Sequence, residues 1–132
     1  MTIRGKGPAH SCRTYLRLCV GGDHDNKSTE QMLDAFTKDW RRLRDGEYEI
    51  ANNEIYDVDI NNMIRKTVRA FIGREKEVKQ LLKRLGAQLY LEVVPHIYAD
   101  SERPKPILSL NADNVAFLYK SGILFDLDYY IV

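Results

Sequence analysis

The sequence has few of the residues that stabilise or mark specialised folds. Its 132 residues include two cysteines, one tryptophan and four prolines. No apolar run approaches the length that spans a membrane, and no charged start followed by an apolar core resembles a signal peptide. We therefore expect one domain without a membrane span, residues 1–132, in the cytoplasm by default.

The two cysteines are not expected to form a disulfide. Cys12 and Cys19 are seven residues apart within one predicted strand, residues 10–20. An odd spacing places them on opposite faces, about 23 Å apart at about 3.3 Å per residue. A disulfide needs Cα atoms within about 7 Å of each other, so both thiols should stay free.

Recognisable motifs for catalysis or metal binding are also lacking. Gly21 and Gly22 are not followed by the Gly-Lys-Ser/Thr of a phosphate-binding loop. The segment of residues 23–25, Asp-His-Asp, could bind a metal or supply a base, but it has no second histidine at ligand spacing and is more simply a polar turn. We expect no catalytic residue, no metal and no cofactor.

An excess of charge of one sign is lacking as well. The net charge of +1 gives no overall attraction to nucleic acid or to an acidic membrane. The charge is nevertheless segregated, because residues 62–86 carry eight Lys/Arg against two Asp/Glu, while residues 23–61 carry five against eleven. This segregation predicts local surfaces of opposite sign.

The first third of the chain predicts a loose leader, a strand, a helix and a hairpin. Residues 1–9 are polar, and residues 10–20 then alternate, with Leu16, Leu18 and Val20 on one face and Tyr15, Arg17 and Cys19 on the other. A capping box of Ser28 and Gln31 predicts a helix to about residue 38. Its expected buried residues are Met32, Leu33 and Phe36. Residues 40–60 predict one or two short strands, with turn signals at residues 45–46 and 52–53.

The middle of the chain predicts two helices, or one kinked helix, and then a strand. Asp59 or Asn61 caps the first helix, and Gly73 separates it from a second that ends at Gly86. The apolar positions of the two helices are Ile60, Met63, Ile64, Thr67, Val68, Phe71 and Ile72, then Val78, Leu81, Leu82 and Leu85. Residues 88–98 follow as a strand, in which Pro95 suggests an edge position or a bulge.

The last 27 residues read as strand, helix, strand. Residues 107–110 predict a short strand, and Asn111 caps a helix over residues 112–121 with Gly122 just after it. The residues expected on its buried face are Val115, Leu118 and Tyr119. Residues 123–132 then alternate strictly, with Asp126 and Asp128 on one face. The opposite, apolar face carries Ile123, Phe125, Leu127, Tyr129 and Ile131.

These elements together favour an α+β fold. Several strands alternate cleanly, which implies that one face of the sheet is wet. We predict a two-layer sandwich, with helices packed on one face of a mixed, mostly antiparallel sheet.

The sequence resembles the bacterial domain-of-unknown-function family 4279. The resemblance runs from about residue 12 to residue 131, and its sharpest part is "PILSLNADNVAFLYKSGILFDLDYYI", residues 106–131. Two departures are the basic segment of residues 39–44 and the missing proline and glycine turn after the first helix. The resemblance implies no established activity or functional residues. Small domains of this kind occur near bacterial toxin genes, which favours an immunity protein by analogy.

The terminal strand carries the candidate binding residues. Asp126 and Asp128 lie about 6–7 Å apart on one face, and with Glu92 and Tyr130 they form a candidate surface for a partner protein. The alternatives are a solvated sheet face, a metal site or an acid–base pair. His96 is a further candidate, and His10 in the leader carries no signal.

Three classes of function follow. The first is a non-enzymatic, cytoplasmic protein-binding domain, most specifically an immunity protein that neutralises a cognate toxin by covering its active site. The second is a small ligand-binding domain or enzyme that uses the polar sheet face. The third and weakest is nucleic-acid binding by a basic helix face made of Arg65, Arg69, Lys76, Lys79 and Lys83.

Overall fold

A mixed sheet with helices on one of its faces forms the structure. The computed structural model describes residues 7–22, 25–55 and 59–132, with the backbone alone at residues 54–55. In chain order the elements are β1 (Ser11–Val20), α1 (Asn26–Asp34), β2 (Trp40–Arg44), β3 (Glu47–Ile55), α2 (Ile60–Thr67), a 3₁₀ turn (Arg69–Phe71), α3 (Glu75–Leu85), β4 (Ala87–Ile97), α4 (Ala112–Ser121), β5 (Leu124–Leu127) and β6 (Tyr130–Ile131).

The sheet has β1 and β4 at its centre. Its strand order is β2-β3-β1-β4-β5, and β6 also pairs with β4. The pairs β2–β3, β3–β1 and β1–β4 are antiparallel, and β4 pairs in parallel with β5 and β6. The prediction of an α+β sandwich with a mixed, mostly antiparallel sheet is confirmed.

Strand β1 shows how the sequence pattern places the core. Cys12, Thr14, Leu16 and Leu18 are fully buried, whereas the residues between them are partly exposed. Side chains two apart share a face, so the first set lies under the helices. Each fully buried leucine stabilises the fold by about 1.5–3 kcal/mol. The polar member is satisfied, because the Thr14 and Thr67 hydroxyls lie 2.6 Å apart.

Helix α1 begins and ends earlier than its sequence predicts. The carboxylate of Asp25 accepts the Ser28 N–H at 2.6 Å, so Asp25 is the cap and the predicted capping box at Ser28 is wrong. Asp25 offers a charged acceptor, which outcompetes a hydroxyl at a helix N-terminus. The helix ends at Asp34, with Leu33 buried and Met32 and Phe36 partly buried against the core.

Residues 40–55 form the predicted hairpin. Strands β2 and β3 pair through a turn at Asp45 and Gly46, as expected. The turn expected at residues 52–53 is wrong, because both residues lie inside β3. A bulge there bends the strand: Ala51 has φ 53°, and the β1–β3 register shifts between Thr14 and Leu16. A bulge needs an unusual backbone conformation within a strand, so residues typical of a turn can also occur at a bulge.

Pro95 does not mark an edge strand. It lies in β4, which is paired on both sides. The Val93 carbonyl accepts the Asp128 N–H at 2.9 Å, so by alternation the Pro95 nitrogen faces the same side. The gap between β5 and β6 lies on that side. The N–H that proline lacks would therefore have no strand partner there, and no hydrogen bond of the sheet is lost.

The strand expected at residues 107–110 is replaced by one bridge. Among the described residues Ile107 pairs only with Asp59, and its side chain is 55% exposed. Side-chain bonds hold the segment instead, because the Asn61 amide donates to the Ser109 carbonyl and Asn61 Oδ1 accepts the Asn111 N–H. The short apolar run therefore lies beside α2 without joining the sheet.

Helix α4 has its predicted cap and end, but its buried face is different. Asn111 accepts the Asn114 N–H, and Gly122 closes the helix at φ 76°. The expected burial of Val115 and Tyr119 is wrong, since they are 50% and 82% exposed. The buried residues are Asn114, Phe117, Leu118 and Ser121. Buried polar side chains set this phase, because the Asn114 amide donates to Asn61 and the Ser121 hydroxyl to the Phe117 carbonyl.

The terminal strand keeps its predicted orientation but is interrupted. Residues 128–129 separate β5 from β6, so the expected continuous strand is wrong. Phe125 and Leu127 lie opposite Leu91 and Val93, on the helix side of the sheet. Asp126 lies opposite Glu92 on the other side. The alternation therefore identified the correct faces. The expected burial of the apolar face is wrong for Phe125, Tyr129 and Ile131, which are 37%, 53% and 62% exposed at the sheet edge.

The described end of the predicted leader is attached to the domain. Arg103 donates to the Gly7 carbonyl and Ser101 to the Pro8 carbonyl. His10 is buried; its Nδ1 accepts the Tyr98 N–H and its Nε2 bonds the Arg103 carbonyl. Residues 1–6 of the expected loose leader lie outside the described residues. Within the described part of the chain, no helix combines the length and apolar composition needed to cross a bilayer.

Candidate functional site

The face of the sheet opposite the helices carries the chemistry of the molecule; we call it the open face. Cross-strand neighbours form its rows, and each row shares one side of the sheet. One row joins Arg41, Glu49, Arg17, Tyr90 and Leu124 across five strands. Shorter rows join Tyr15, Glu92 and Asp126, then Arg13 and Val94, then Ser11, His96 and Tyr130.

Ion pairs cover the part of the open face near β2 and β3. Arg41 donates to both oxygens of Glu49, and Arg44 pairs with Glu47 at 2.9 Å. Arg17 lies over the Tyr90 ring, with its guanidinium carbon 4.7 Å from the ring centroid. These arginines are therefore already neutralised by the protein itself.

A carboxylate pair lies at the centre of the open face. Glu92 is 4% exposed, and its Oε1 accepts from Arg17 Nε at 3.0 Å. Burial, together with the facing carboxyl of Asp126, raises the pKa of Glu92 to about 7, against the opposing effect of Arg17. Glu92 can therefore exchange a proton near neutral pH, which solvated carboxylates do not do.

A small pocket lies beside this pair. Its volume is about 250 Å³, and Ser11, Arg13, Val94, His96 and Tyr130 line it. Arg13 and Val94 have no β5 or β6 neighbour in their row, because the chain leaves the ladder between those strands. The short side chains of Val94 and Ser11 leave a depression between longer neighbours.

The edge of the sheet formed by residues 124–132 exposes apolar surface; we call these residues the C-terminal ribbon. Within the described residues, its outer side pairs with no strand. Large apolar side chains exposed along it are Leu124, Phe125, Tyr129, Tyr130, Ile131 and Val132. Asp126 and Asp128 are exposed among them. Contiguous apolar exposure with charged neighbours is typical of an interaction surface.

The predicted partner-binding residues lie near one another but differ in exposure. Asp126, Asp128 and Tyr130 are exposed on the ribbon, and the Tyr130 hydroxyl donates to Asp128 at 3.2 Å. That bond to a carboxylate raises the pKa of Tyr130. Glu92 is buried beneath them, so it positions Arg17 and presents little surface to a partner.

The remaining candidates are resolved as follows. Asp23 and His24 lie outside the described residues, and Asp25 caps α1. His96 stacks on Tyr130 with ring centroids 5.1 Å apart. Across residues 7–22, 25–55 and 59–132, no three His, Cys, Asp or Glu side chains group closely enough to hold a metal ion.

The basic helix face is formed in part. Lys76, Lys79 and Lys83 follow one stripe of α3, and Lys76 and Lys79 line a groove with Tyr119 and Lys120. Glu75 and Glu77 line the same groove. Hydrogen bonds from the backbone N–H groups of Glu75 and Gly73 lower the pKa of Glu75, and the charges of Lys120 and Arg65 add to this effect. These carboxylates reduce the positive electrostatic potential that would attract the phosphates of a nucleic acid.

Sequence reasoning missed the pocket residues Ser11, Arg13 and Val94. Their positions on the polar face of β1 and β4 are visible in the alternation, but their proximity depends on the β1–β4 register. No family model matches the chain, and none of the curated proteins or solved structures compared with it matches either.

Proposed function

We propose that the protein is a non-enzymatic, cytoplasmic protein-binding domain that engages its partner through the C-terminal ribbon. More specifically, we propose a bacterial immunity protein that covers the active site of a cognate toxin. The observation that carries the proposal is the uncovered sheet edge of residues 124–132, with its six exposed apolar side chains beside two exposed aspartates.

The two edges of the sheet differ in a way that favours this role. Natural proteins blunt exposed edges with charge, and β2 carries Arg41, Arg42 and Arg44 at one edge. The ribbon has unpaired backbone groups and apolar side chains at the other edge. An edge of this kind can accept an added strand from another protein, so a partner can dock there by backbone hydrogen bonds as well as by apolar contact.

The charge of the ribbon supports one kind of partner. Asp126 and Asp128 are exposed, whereas the arginines of the open face near β2 are paired with Glu47 and Glu49. The free charge at the ribbon is therefore negative, and it complements a basic surface such as that of a nuclease. Exposed tyrosines, which anchor many interfaces, lie beside it at Tyr129 and Tyr130.

We also propose that the protein is related to the bacterial domain-of-unknown-function family 4279, which its sequence resembles. Its support is the motif in residues 106–131, which contains the whole of α4, β5 and β6. The family relationship lends an analogy to immunity proteins, and the ribbon supplies a surface for that role.

Co-purification with the toxin domain encoded beside its gene tests the proposal. We expect a complex with a dissociation constant in the micromolar range or tighter, and loss of toxin activity in the complex. The doubly substituted Asp126→Lys, Asp128→Lys protein should associate at least about tenfold more slowly at low salt.

The control for this experiment is Asp39→Lys, which reverses an exposed aspartate next to β2 at the opposite edge of the sheet. It should bind like the wild type. Absence of a complex with the neighbouring toxin, or equal weakening in the control, would contradict the proposal.

A ligand-binding or enzymatic function is the second candidate. The observation that favours it is Glu92, a buried carboxyl with a pKa raised to about 7, on the same face as the 250 Å³ pocket. It predicts that Glu92→Gln abolishes turnover of a small substrate while leaving the protein folded. A screen in which wild type and Glu92→Gln behave alike would remove this candidate.

A further inference from the structure

The pocket on the open face contains a cation, Arg13, that forms no ion pair with any side chain that the structure describes. The Nε of Arg13 is buried and meets no hydrogen-bond acceptor. Among the described residues, no carboxylate lies within ion-pair distance of its guanidinium, whereas Arg17, Arg41 and Arg44 on the same face are all paired. A buried donor without an acceptor is unfavourable, so an incoming oxygen atom would be stabilised there.

The Tyr15 ring contacts the guanidinium of Arg13 and restricts its motion. Its central carbon lies 4.8 Å from the centroid of the Tyr15 ring. His96 is stacked on Tyr130, and with Ser11 these residues add hydroxyl and imidazole groups to the same cavity. Pre-oriented donors bind an anion with little loss of side-chain freedom.

We propose that this pocket binds a single carboxylate group, held by the planar fork of Arg13 with help from Ser11 and His96. The planar guanidinium matches a carboxylate through two parallel hydrogen bonds. The volume of about 250 Å³ accommodates the carboxylate and a short apolar stem against Val94. This inference does not require the C-terminal ribbon to bind a protein.

Charge favours a carboxylate over a phosphoryl group. Arg13 is the one arginine or lysine among the residues that line the pocket. Asp128 lies beside the pocket, because its carboxylate accepts the hydroxyl of the pocket residue Tyr130. A dianionic phosphoryl group would leave the site with excess negative charge, whereas one carboxylate balances Arg13.

Titration with acetate at constant ionic strength, exchanged against chloride, tests the inference. The readout is the NMR resonance of the Arg13 Nε–H, assigned from the Arg13→Lys variant. We expect a saturable shift of this resonance in the wild type. Arg13→Gln should weaken acetate binding, followed at backbone amides of the pocket, at least about tenfold. Arg13→Lys keeps the charge without the fork and should lose a smaller part of the affinity.

A control variant separates a site from general attraction. Arg41→Gln removes a paired arginine of the same face and should change acetate affinity by less than about twofold.

Two further ligands identify the chemistry and its source. Inorganic phosphate should bind at least about tenfold more weakly than acetate. The second ligand is a blocked peptide with one glutamate. If the peptide binds as well as acetate, the site takes a carboxylate carried by a protein. If the peptide does not bind, the site takes a free small acid. Absence of a saturable shift, tighter binding of phosphate, or equal loss in Arg41→Gln and Arg13→Gln would overturn the inference.

Discussion

Glu92 should make the stability of the protein fall as the pH rises. The perturbation is Glu92→Gln, which keeps the shape of the side chain and removes its ionisation. In the folded protein burial and Asp126 raise the pKa of Glu92 from its ordinary value of 4.5 to about 7. Arg17 opposes them at 3.0 Å, but its guanidinium is 30% exposed and does not compensate for the burial.

The sign follows from comparing the folded and unfolded chains. Below about pH 4.5 both bind the proton, and the contribution of Glu92 to stability is fully present. Between about pH 4.5 and about 7 only the folded chain keeps the proton, so stability falls as the pH rises, and the loss is complete above about 7. The difference between 4.5 and about 7 corresponds to about 3 kcal/mol in the free energy of unfolding.

The assay is urea denaturation of wild type and Glu92→Gln between pH 4.5 and pH 8.5. Subtracting the two free energies of unfolding removes the titration of groups distant from Glu92. We expect the wild type to lose about 3 kcal/mol relative to the variant across this range. Asp126→Asn should move this loss to lower pH. A flat difference, or one that rises with pH, would show that Arg17 dominates and would refute the reasoning.

Five further substitutions test three local features of the fold by their free energies of unfolding. Phe117→Ala should cost about 3–5 kcal/mol and Tyr119→Ala less than about 0.5, because the first is 4% and the second 82% exposed; equal costs would contradict the observed face of α4. Gly46→Ala should cost at least about 2 kcal/mol and Gly73→Ala about 1, since both have positive φ but only the first would place a Cβ 2.9 Å from the Val20 carbonyl. Asp25→Ala should cost about 1 kcal/mol and lower the helical circular dichroism, while an unchanged spectrum would argue against its capping role.

Patterns with a strict period could be predicted from the sequence. The alternation of β1 identified its buried face, and the alternation of residues 123–127 identified which side chains point toward the helices, because a period of two leaves one choice of face once the apolar side is known. Asn111 and Gly122 were also identified correctly, since capping depends on residues that are local in sequence.

Features that depend on distant residues could not be predicted. The phase of α4 is set by the bond between Asn114 and Asn61, 53 residues apart, and an apolar count favours Val115 instead. The pocket depends on the register that brings Arg13 beside Val94 and on the interruption of the terminal strand at residues 128–129. Neither the β1–β4 register nor the interruption of the terminal strand produces a periodic pattern in the sequence.

Hydrogen exchange of the protein with and without the proposed toxin partner tests the central proposal most directly. The Asp128 N–H donates to the Val93 carbonyl of β4. Because backbone N–H groups alternate in direction along a strand, the amides of Phe125 and Leu127 point away from β4. If the C-terminal ribbon is the binding edge, these outward amides should exchange at least about tenfold more slowly in the complex. Unchanged exchange in residues 124–132, with protection appearing on α3 instead, would contradict the account.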